Sequence, residues 1–251
     1  MVTEREIDLN ADLGETDGDL ALISVVTSAN IACGGHAGDA RSMTAAVQAA
    51  LAHGVTIGAH PSYRDRPSFG RRELSTPPRE IAEEVADQLA QLNEIASASG
   101  AAVAYVKLHG ALYHRAGRDA ACAEAVLQGI EGAGLAPLPL LAQPGGVLLG
   151  LARERGWMGV EEGFCDRAYR ADGSLVDRSV AGAVLAPAEA QRQAVGLAIR
   201  GGVRAEDGTW LSLRPASLCI HGDTPAALDL AGAVRRSLQG AGAVITPFVR
   251  S

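Results

Sequence analysis

The sequence predicts an α/β chain folded as a (β/α) barrel of seven or eight strands, closed or nearly so and not necessarily regular. Three observations carry this. Short apolar segments alternate with helical ones along the chain, the pattern of parallel βαβ units. The 251 residues suit one such barrel. Unusual polar residues cluster at the ends of the apolar segments and not in the turns that follow helices, as expected where strand ends converge on one face. An open doubly wound sheet is the alternative topology. No G-x-G-x-x-G follows the first strand, which weakens a dinucleotide-binding reading.

The strands are expected at Ile7–Ala11, Ser28–Cys33, Thr56–His60, Ala104–His109, Leu138–Ala142, Gly159–Phe164, Ser217–His221 and Ala243–Phe248. Several are nearly all apolar, as strands covered on both faces must be. Four helices have readable ends. Asp39 caps one that runs through Met43, Val47 and Leu51 to Gly54. Thr76 and Pro77 open the longest, whose stripe is Ile81, Val85, Leu89, Leu92 and Ile95 and whose stop is Gly100. A third runs from Pro187 to near Gly201. The fourth has Thr224 as cap and Pro225 at its first position, with Leu228, Ala231, Val234 and Leu238 inward. With no repeat, low-complexity tract or linker in view, residues 1–251 are expected to form one domain.

Composition narrows the function. Hydrophobic residues make up 47% and aromatics only 4%, so the core is built from small and aliphatic side chains. A net charge of −7 argues against a nucleic-acid surface, yet leaves room for a locally positive pocket. Cys33, Cys122, Cys165 and Cys219 form no C-x-x-C pair, and reduced thiols in a cytoplasmic protein are the simplest reading. The N-terminal residues lack the basic and apolar regions of a signal peptide, and no apolar run approaches the roughly 20 residues that cross a bilayer.

The polar clusters supply the candidate site. Asp8, Asn10, Asp12 and Glu15 lie in or after the first strand, Asn30 and His36 at the second, and His60, Arg71 and Arg72 after the third. Lys107 and His109 close the fourth, alternating so as to face one side. Glu162, Asp166 and Arg167 end the sixth, and His221 and Asp223 the penultimate one. Paired carboxylates at Asp12 and Glu15 can bind a cation or serve as a general base, and Asp12 can equally cap a turn. His36 and His60 could join Asp12 around a divalent metal, or donate hydrogen bonds without one. Lys107 is costly inside a barrel unless paired, with Glu15, Glu162 or an anionic substrate as partner. The helix start after His221 offers N–H groups to an anion. The chain has neither a G-x-x-x-x-G-K-[ST] loop nor a G-x-S-x-G elbow, so ATP binding by this chain and serine-hydrolase chemistry are unsupported.

Six segments taken together, IDLNADLGE, SANIACGGHAGD, GAHPSYRDRPSFGRR, VKLHGALYH, EGFCDRAYRADGSLVDR and CIHGDTP, resemble the LamB/YcsF family from about residue 6 to the C-terminus. Arg64, Ser68, Leu108 and His114 depart from the usual family residues. The resemblance implies a barrel similar to those of polysaccharide deacetylases and glycoside hydrolases. It implies the A component of an ATP-dependent 5-oxoprolinase, working with subunits B and C to open the lactam of 5-oxoproline to glutamate, with ATP bound mainly by the partners. On that reading Asp12, His36, His60, Lys107 and His109 are the catalytic candidates. Asn10, Glu15, Asn30, Arg71, Arg72, Glu162, Asp166, Arg167, His221 and Asp223 are then the substrate-binding ones. Two rivals stay open: a stand-alone metal-dependent amidohydrolase or deacetylase, and a non-catalytic substrate-binding component. A divalent cation and a homo-oligomer are both left open.

Overall fold

The computed structural model describes residues 5–222 and 226–249. Its elements follow the expected alternation: β1 (Arg5–Leu13), β2 (Ser28–Ala32), α1 (Ala40–His53), β3 (Thr56–His60), α2 (Pro78–Ala98), β4 (Tyr105–Val106), α3 (Gly110–Ala116), α4 (Ala120–Gly132), β5 (Leu140–Ala142), α5 (Val147–Glu154), β6 (Gly159–Phe164), α6 (Pro187–Val195), β7 (Gly202–Arg204), β8 (Trp210–Ser212), β9 (Ser217–Ile220), α7 (Ala227–Gly240) and β10 (Ala243–Ile245). Strands β1 to β6 pair in order, and β9 joins β6 to β1, closing a parallel barrel of seven strands. The lower end of β1 instead pairs with β10, which hangs outside the ring. β7 and β8 form a separate antiparallel hairpin. No helix of the described residues is long and apolar enough to cross a membrane.

The helix ends match their chemistry. Asp39 accepts from the backbone N–H of Ser42, whose hydroxyl accepts from the Asp39 N–H, a reciprocal cap. Gly54 terminates α1 in the left-handed conformation. α2 begins one residue later than expected, and α6 continues through a π-helical turn, Gly196–Arg200, to Gly201. The expected Thr224–Pro225 cap lies outside the described residues. Leu228 does not face inward: it is exposed, and Ala227 is buried in its place. Helices α3, α4 and α5 were not among the four expected, although α4 has a local signal in Asp119, whose side chain accepts from the N–H groups of Ala121 and Cys122.

Register shows what fills the barrel. Asp8 is level with Ser217, Asn10 with both Ser28 and Cys219, Asp12 with Asn30, Asn30 with Gly58, and Glu162 with Ser217. Side chains alternate across a strand, so these residues share the inner face. Their neighbours Leu9, Ala11, Ile31, Ala59 and Leu218 lie outward in the main apolar core beneath the helices. The lumen is therefore a polar column, and Asp8 and Asn10 lie within it instead of capping a strand end. Its floor is a small separate cluster of Tyr105, Leu141 and Val160 closed by Phe248.

The column is bonded along its length. Asp8 accepts from the Thr27 and Ser28 hydroxyls at 2.7 and 2.6 Å and from Ser217. Burial still pushes its carboxyl up to about 6. Tyr105 crosses the lumen to donate to Asn30 Oδ1 at 2.6 Å. The ring passes directly over Gly58, where a Cβ would lie 2.2 Å from its nearest atom. Gly58→Ala should therefore overpack the lumen at a point where neither backbone nor a bonded, buried ring can yield. A cost of about 1–3 kcal/mol lowers the melting temperature by roughly 2–10 °C at this chain length, measurable by calorimetry.

Candidate active site

At the upper end of the column the polar residues meet an open cavity of about 570 Å³. Lys107 sits at its base, 2% exposed. Its Nζ lies 2.9 Å from Asp12 Oδ1 and 2.9 Å from Glu162 Oε1, and donates to Asn10 Oδ1 at 3.2 Å. Burial alone would lower its pKa, but Asp12 and Glu162 hold it well above the ordinary lysine value. The expected strand around it is shorter, ending at Val106, yet extended pairing continues. The N–H groups of Lys107 and His109 donate to the carbonyls of Ala59 and Pro61. Both side chains thus line the same cavity, as alternation predicted.

Above Lys107 three imidazoles surround one carboxylate. Glu15 Oε1 is 2.8 Å from His36 Nε2, 3.1 Å from His109 Nδ1 and 3.6 Å from His60 Nε2. His60 Nε2 is also 3.4 Å from Asp12 Oδ2 and 3.0 Å from His109 Nδ1. Each ring has its far nitrogen occupied. His60 Nδ1 faces the Lys107 carbonyl at 2.8 Å and His109 Nε2 faces the Phe69 carbonyl at 2.9 Å. A carbonyl only accepts, so both those nitrogens carry hydrogen. His36 Nδ1 lies 2.8 Å from Ser62 Oγ, whose own hydrogen goes to the Tyr63 carbonyl, so it donates as well. The three inner nitrogens and Glu15 are then all lone pairs pointing at one another.

One added positive charge resolves that conflict. Burial drives His36 down to about 4 and lowers His109, keeping both neutral. For His60, burial acts the same way but is outweighed by Asp12 and Glu15, which raise its pKa. An extra proton therefore belongs on His60 Nε2. A metal cation would satisfy the same four groups, whose ligand atoms all lie within 4.8 Å of one another. Far-side hydrogen bonds that fix each imidazole tautomer are what metal-binding histidines usually have. The set differs from the expected Asp12, His36 and His60: Glu15 and His109 complete it, while Asp12 is tied to Lys107. A second convergence, Asp12, Cys219 and His221, suits a cation poorly, because the Lys107 ammonium is 3.1 Å from Cys219 Sγ.

The remaining expected residues divide. Asp12, Glu15, His60, Arg71, Lys107, His109, Arg167 and His221 line the cavity. Asn10 and Asn30 lie below it with their amides committed to Glu162, Ser217, Asp12 and each other. Glu162 is likewise buried beneath, against Lys107. His36 is covered by the His109 ring, stacked at 3.6 Å. Asp166 is buried behind His221, bonding both its backbone N–H and its Nδ1. Arg72 points away, exposed, 3.8 Å from Asp65. Asp223 lies outside the described residues.

Sequence reasoning missed Tyr113, His114, Arg118, Phe164, Arg170 and Arg178, all on the cavity wall. A signal existed for the last two. Residues 165–186 form a stretch without a regular helix or strand, and connections of that length are usually functional. Phe69 is held at φ 53°, unusual for a side chain of its size. That conformation accompanies the carbonyl contact to His109 and places the Phe69 ring beside His36 and His109.

Comparison with known proteins agrees with this architecture. The family model described as LamB/YcsF family matches residues 7–251. A protein of Streptomyces coelicolor, named as the A subunit of 5-oxoprolinase, is 52% identical over 250 residues, covering 96% of this chain and 99% of its own. The crystal structure of a lactam utilization protein from Thermus thermophilus superposes with a TM-score of 0.89 at 40% identity, covering 97% of this chain and all of the other. A T48 deacetylase solved with substrate shares the fold at a TM-score of 0.50 and 13% identity, covering 97% of this chain and 88% of the other. The expected likeness to deacetylase barrels therefore holds at the level of fold.

The base of the site also sets a stability test. Lys107→Ala leaves Asp12 and Glu162 buried without their cation, at a cost of about 3–5 kcal/mol. Lys107→Ala with Glu162→Gln should recover a measurable part of it. Denaturant unfolding of the two variants checks the coupling, and equal losses would remove Glu162 from the pairing.

Proposed function

The chain belongs to the LamB/YcsF family, and on that premise we propose that it is the ring-opening A component of an ATP-dependent 5-oxoprolinase, acting with subunits B and C. The relatives' name supports the lactam and the existence of other subunits. The observation that carries ring opening is the pair His60 and His109. They touch at 3.0 Å, have fixed tautomers, and have pKa values pushed in opposite directions. Such pairs make acid and base of two like residues.

An unstrained lactam is a poor electrophile. Transfer of the ATP γ-phosphoryl group to the amide oxygen, assigned to the partner subunits, makes the ring carbon attackable. Water then adds to that carbon, neutral His109 taking its proton at Nδ1. The ring C–N bond breaks as the added hydroxyl becomes the acyl carbonyl and releases its proton to solvent, and protonated His60 delivers a proton from Nε2 to the departing nitrogen. A proton passing from His109 to His60 across their contact resets both. Lys107 and Asp12 hold the floor and orient His60. A second water releases phosphate from the acyl phosphate, giving glutamate. General acid–base steps contribute about 10²–10⁴-fold. With all subunits reconstituted, His60→Ala and His109→Ala should each cut glutamate release at least a hundredfold while 5-oxoproline-dependent ATP hydrolysis persists. Unchanged glutamate release in both variants would overturn the reading.

The convergence of lone pairs on Glu15 favours a second reading in which the same pocket holds a divalent cation. Glu15, His36, His60 and His109 would bind it, and it would supply Lewis-acid activation of water. Adding Zn²⁺ or Mn²⁺ to chelator-treated chain at about a hundred times Kd is worth about 2.7 kcal/mol. That raises the melting temperature by roughly 5–10 °C at this chain length. Glu15→Gln should abolish the rise. A flat melting curve in the unaltered chain discards the metal.

A further inference from the structure

We propose that the outer wall of the cavity is a subsite for a phosphoryl dianion, with Arg167, Arg170 and Arg178 as its ligands and Arg71 and Arg118 flanking it. Five arginines line this one cavity in a chain whose net charge is −7. Among the described residues, the carboxylates that share the lining are Asp12 and Glu15, engaged with Lys107 and the histidines at the base, and Asp177 on the wall, while Asp166, buried behind His221, acts on Arg167 and Arg178 from outside the lining. Asp177 is occupied in part by the backbone N–H and hydroxyl of Ser179, and Arg118 is paired with Glu73.

The arginines are close enough to repel. Burial lowers the Arg167 guanidinium's pKa and Arg178 and Arg71 lower it further, outweighing the opposite pull of Asp166 and Cys219. His114, on the same wall, is driven down to about 4 by burial and then by Arg167 and Arg118. Arg167 is 6% exposed and its buried Nε has no hydrogen-bond partner, although its Nη2 donates to the Val176 carbonyl at 2.6 Å. Like charges gathered around an unsatisfied buried N–H call for an anion.

The wall is also rigidly held. Gln193 of α6 donates to the carbonyls of Phe164 and Arg167, each at 2.7 Å. Backbone bridges join Arg167 to Val184 and Tyr169 to Leu175. The backbone that carries Arg167 and Arg170 is therefore held before a ligand arrives, and less ordering is needed on binding. The cavity also exceeds what a small ring needs: at about 30 Å³ per water, its 570 Å³ equals on the order of nineteen waters.

That the phosphoryl group arrives on the substrate ring, and not on a nucleotide, rests on the proposed function. A phosphorylated ring would point its carbonyl carbon at His60 and His109 and its phosphoryl oxygens at the wall. The guanidiniums would hold the phosphoryl dianion, and with it the ring carbon, in place while the ring opens.

The test uses the full chain without partners, titrated with inorganic phosphate at constant ionic strength by calorimetry, then with ADP. Arg170→Ala/Arg178→Ala is the informative variant, because both residues sit on the loop and outside the core. Saturable phosphate binding, weakened roughly tenfold or more in the variant and partly restored by lysine at both positions, is the expected result. In the reconstituted complex the same variant should consume ATP with little glutamate released. Equal phosphate affinity in variant and unaltered chain, or no saturable binding, overturns the subsite. ADP binding more than tenfold tighter than phosphate overturns the ring-borne source. These outcomes are separable from the histidine test: normal glutamate release by His60→Ala and His109→Ala sinks ring opening, whereas unchanged phosphate binding sinks only the subsite.

Discussion

The buried ammonium of Lys107 is the constraint on which the site depends. A parallel barrel usually fills its interior with branched apolar layers. This one carries Asp8, Asn10, Asp12, Ser28, Asn30, Glu162 and Ser217 on its inner face, and each is buried. Carboxylates so placed need a cation, hydrogen-bond donors or a proton. Lys107 supplies the cation to Asp12 and Glu162. Asn10 and Asn30 supply donors to Glu162 and Asp12, and accept from Lys107 and Tyr105 in return. Asp8, far from the ammonium, is satisfied by hydroxyls and has its pKa raised instead.

Lys107 also acts through its main chain. Its carbonyl receives the Nδ1 hydrogen of His60 while its side chain holds Asp12, the carboxylate beside His60 Nε2. One residue therefore fixes both the tautomer of that imidazole and the charge next to its reactive nitrogen. A substitution at 107 is expected to perturb stability and the histidine pair together. Activity loss there says less about chemistry than the same loss at His60 or His109.

Much of this was legible in the sequence because strand period and chain order are local. β3 and β6 have the expected bounds, and Asp39, Gly54 and Gly201 mark helix ends through their own backbone chemistry. The site was legible as a set of residues but not as layers. The alternation of Asp8, Asn10 and Asp12 with Ile7, Leu9 and Ala11 carries the polar lumen. Only the closure of β9 onto β1 shows that the polar face is the interior and not a solvent face. His36 and Arg72 illustrate the other limit. Both flank strand ends, yet His36 lies covered by His109 and Arg72 turns outward. Which way a loop side chain turns is decided by tertiary contacts. Arg170 and Arg178 were missed for the same reason: on a loop no periodicity says which way a side chain turns, and only the folded chain brings them to the wall beside Arg167.

The separation of charge within the cavity argues for an orientation of whatever binds there. Glu15 and Asp12 lie at its base among imidazoles, and the arginines stand on its wall. A net charge of −7 conceals this polarity, because the arginines are gathered locally while acidic residues are spread over the chain. A phosphoryl group entering the cavity is drawn to the wall, so a ring carrying it turns its reacting carbon toward His60 and His109. The two histidines can then stay tuned by Asp12 and Glu15, with ligand charge kept away from the nitrogens that must exchange protons.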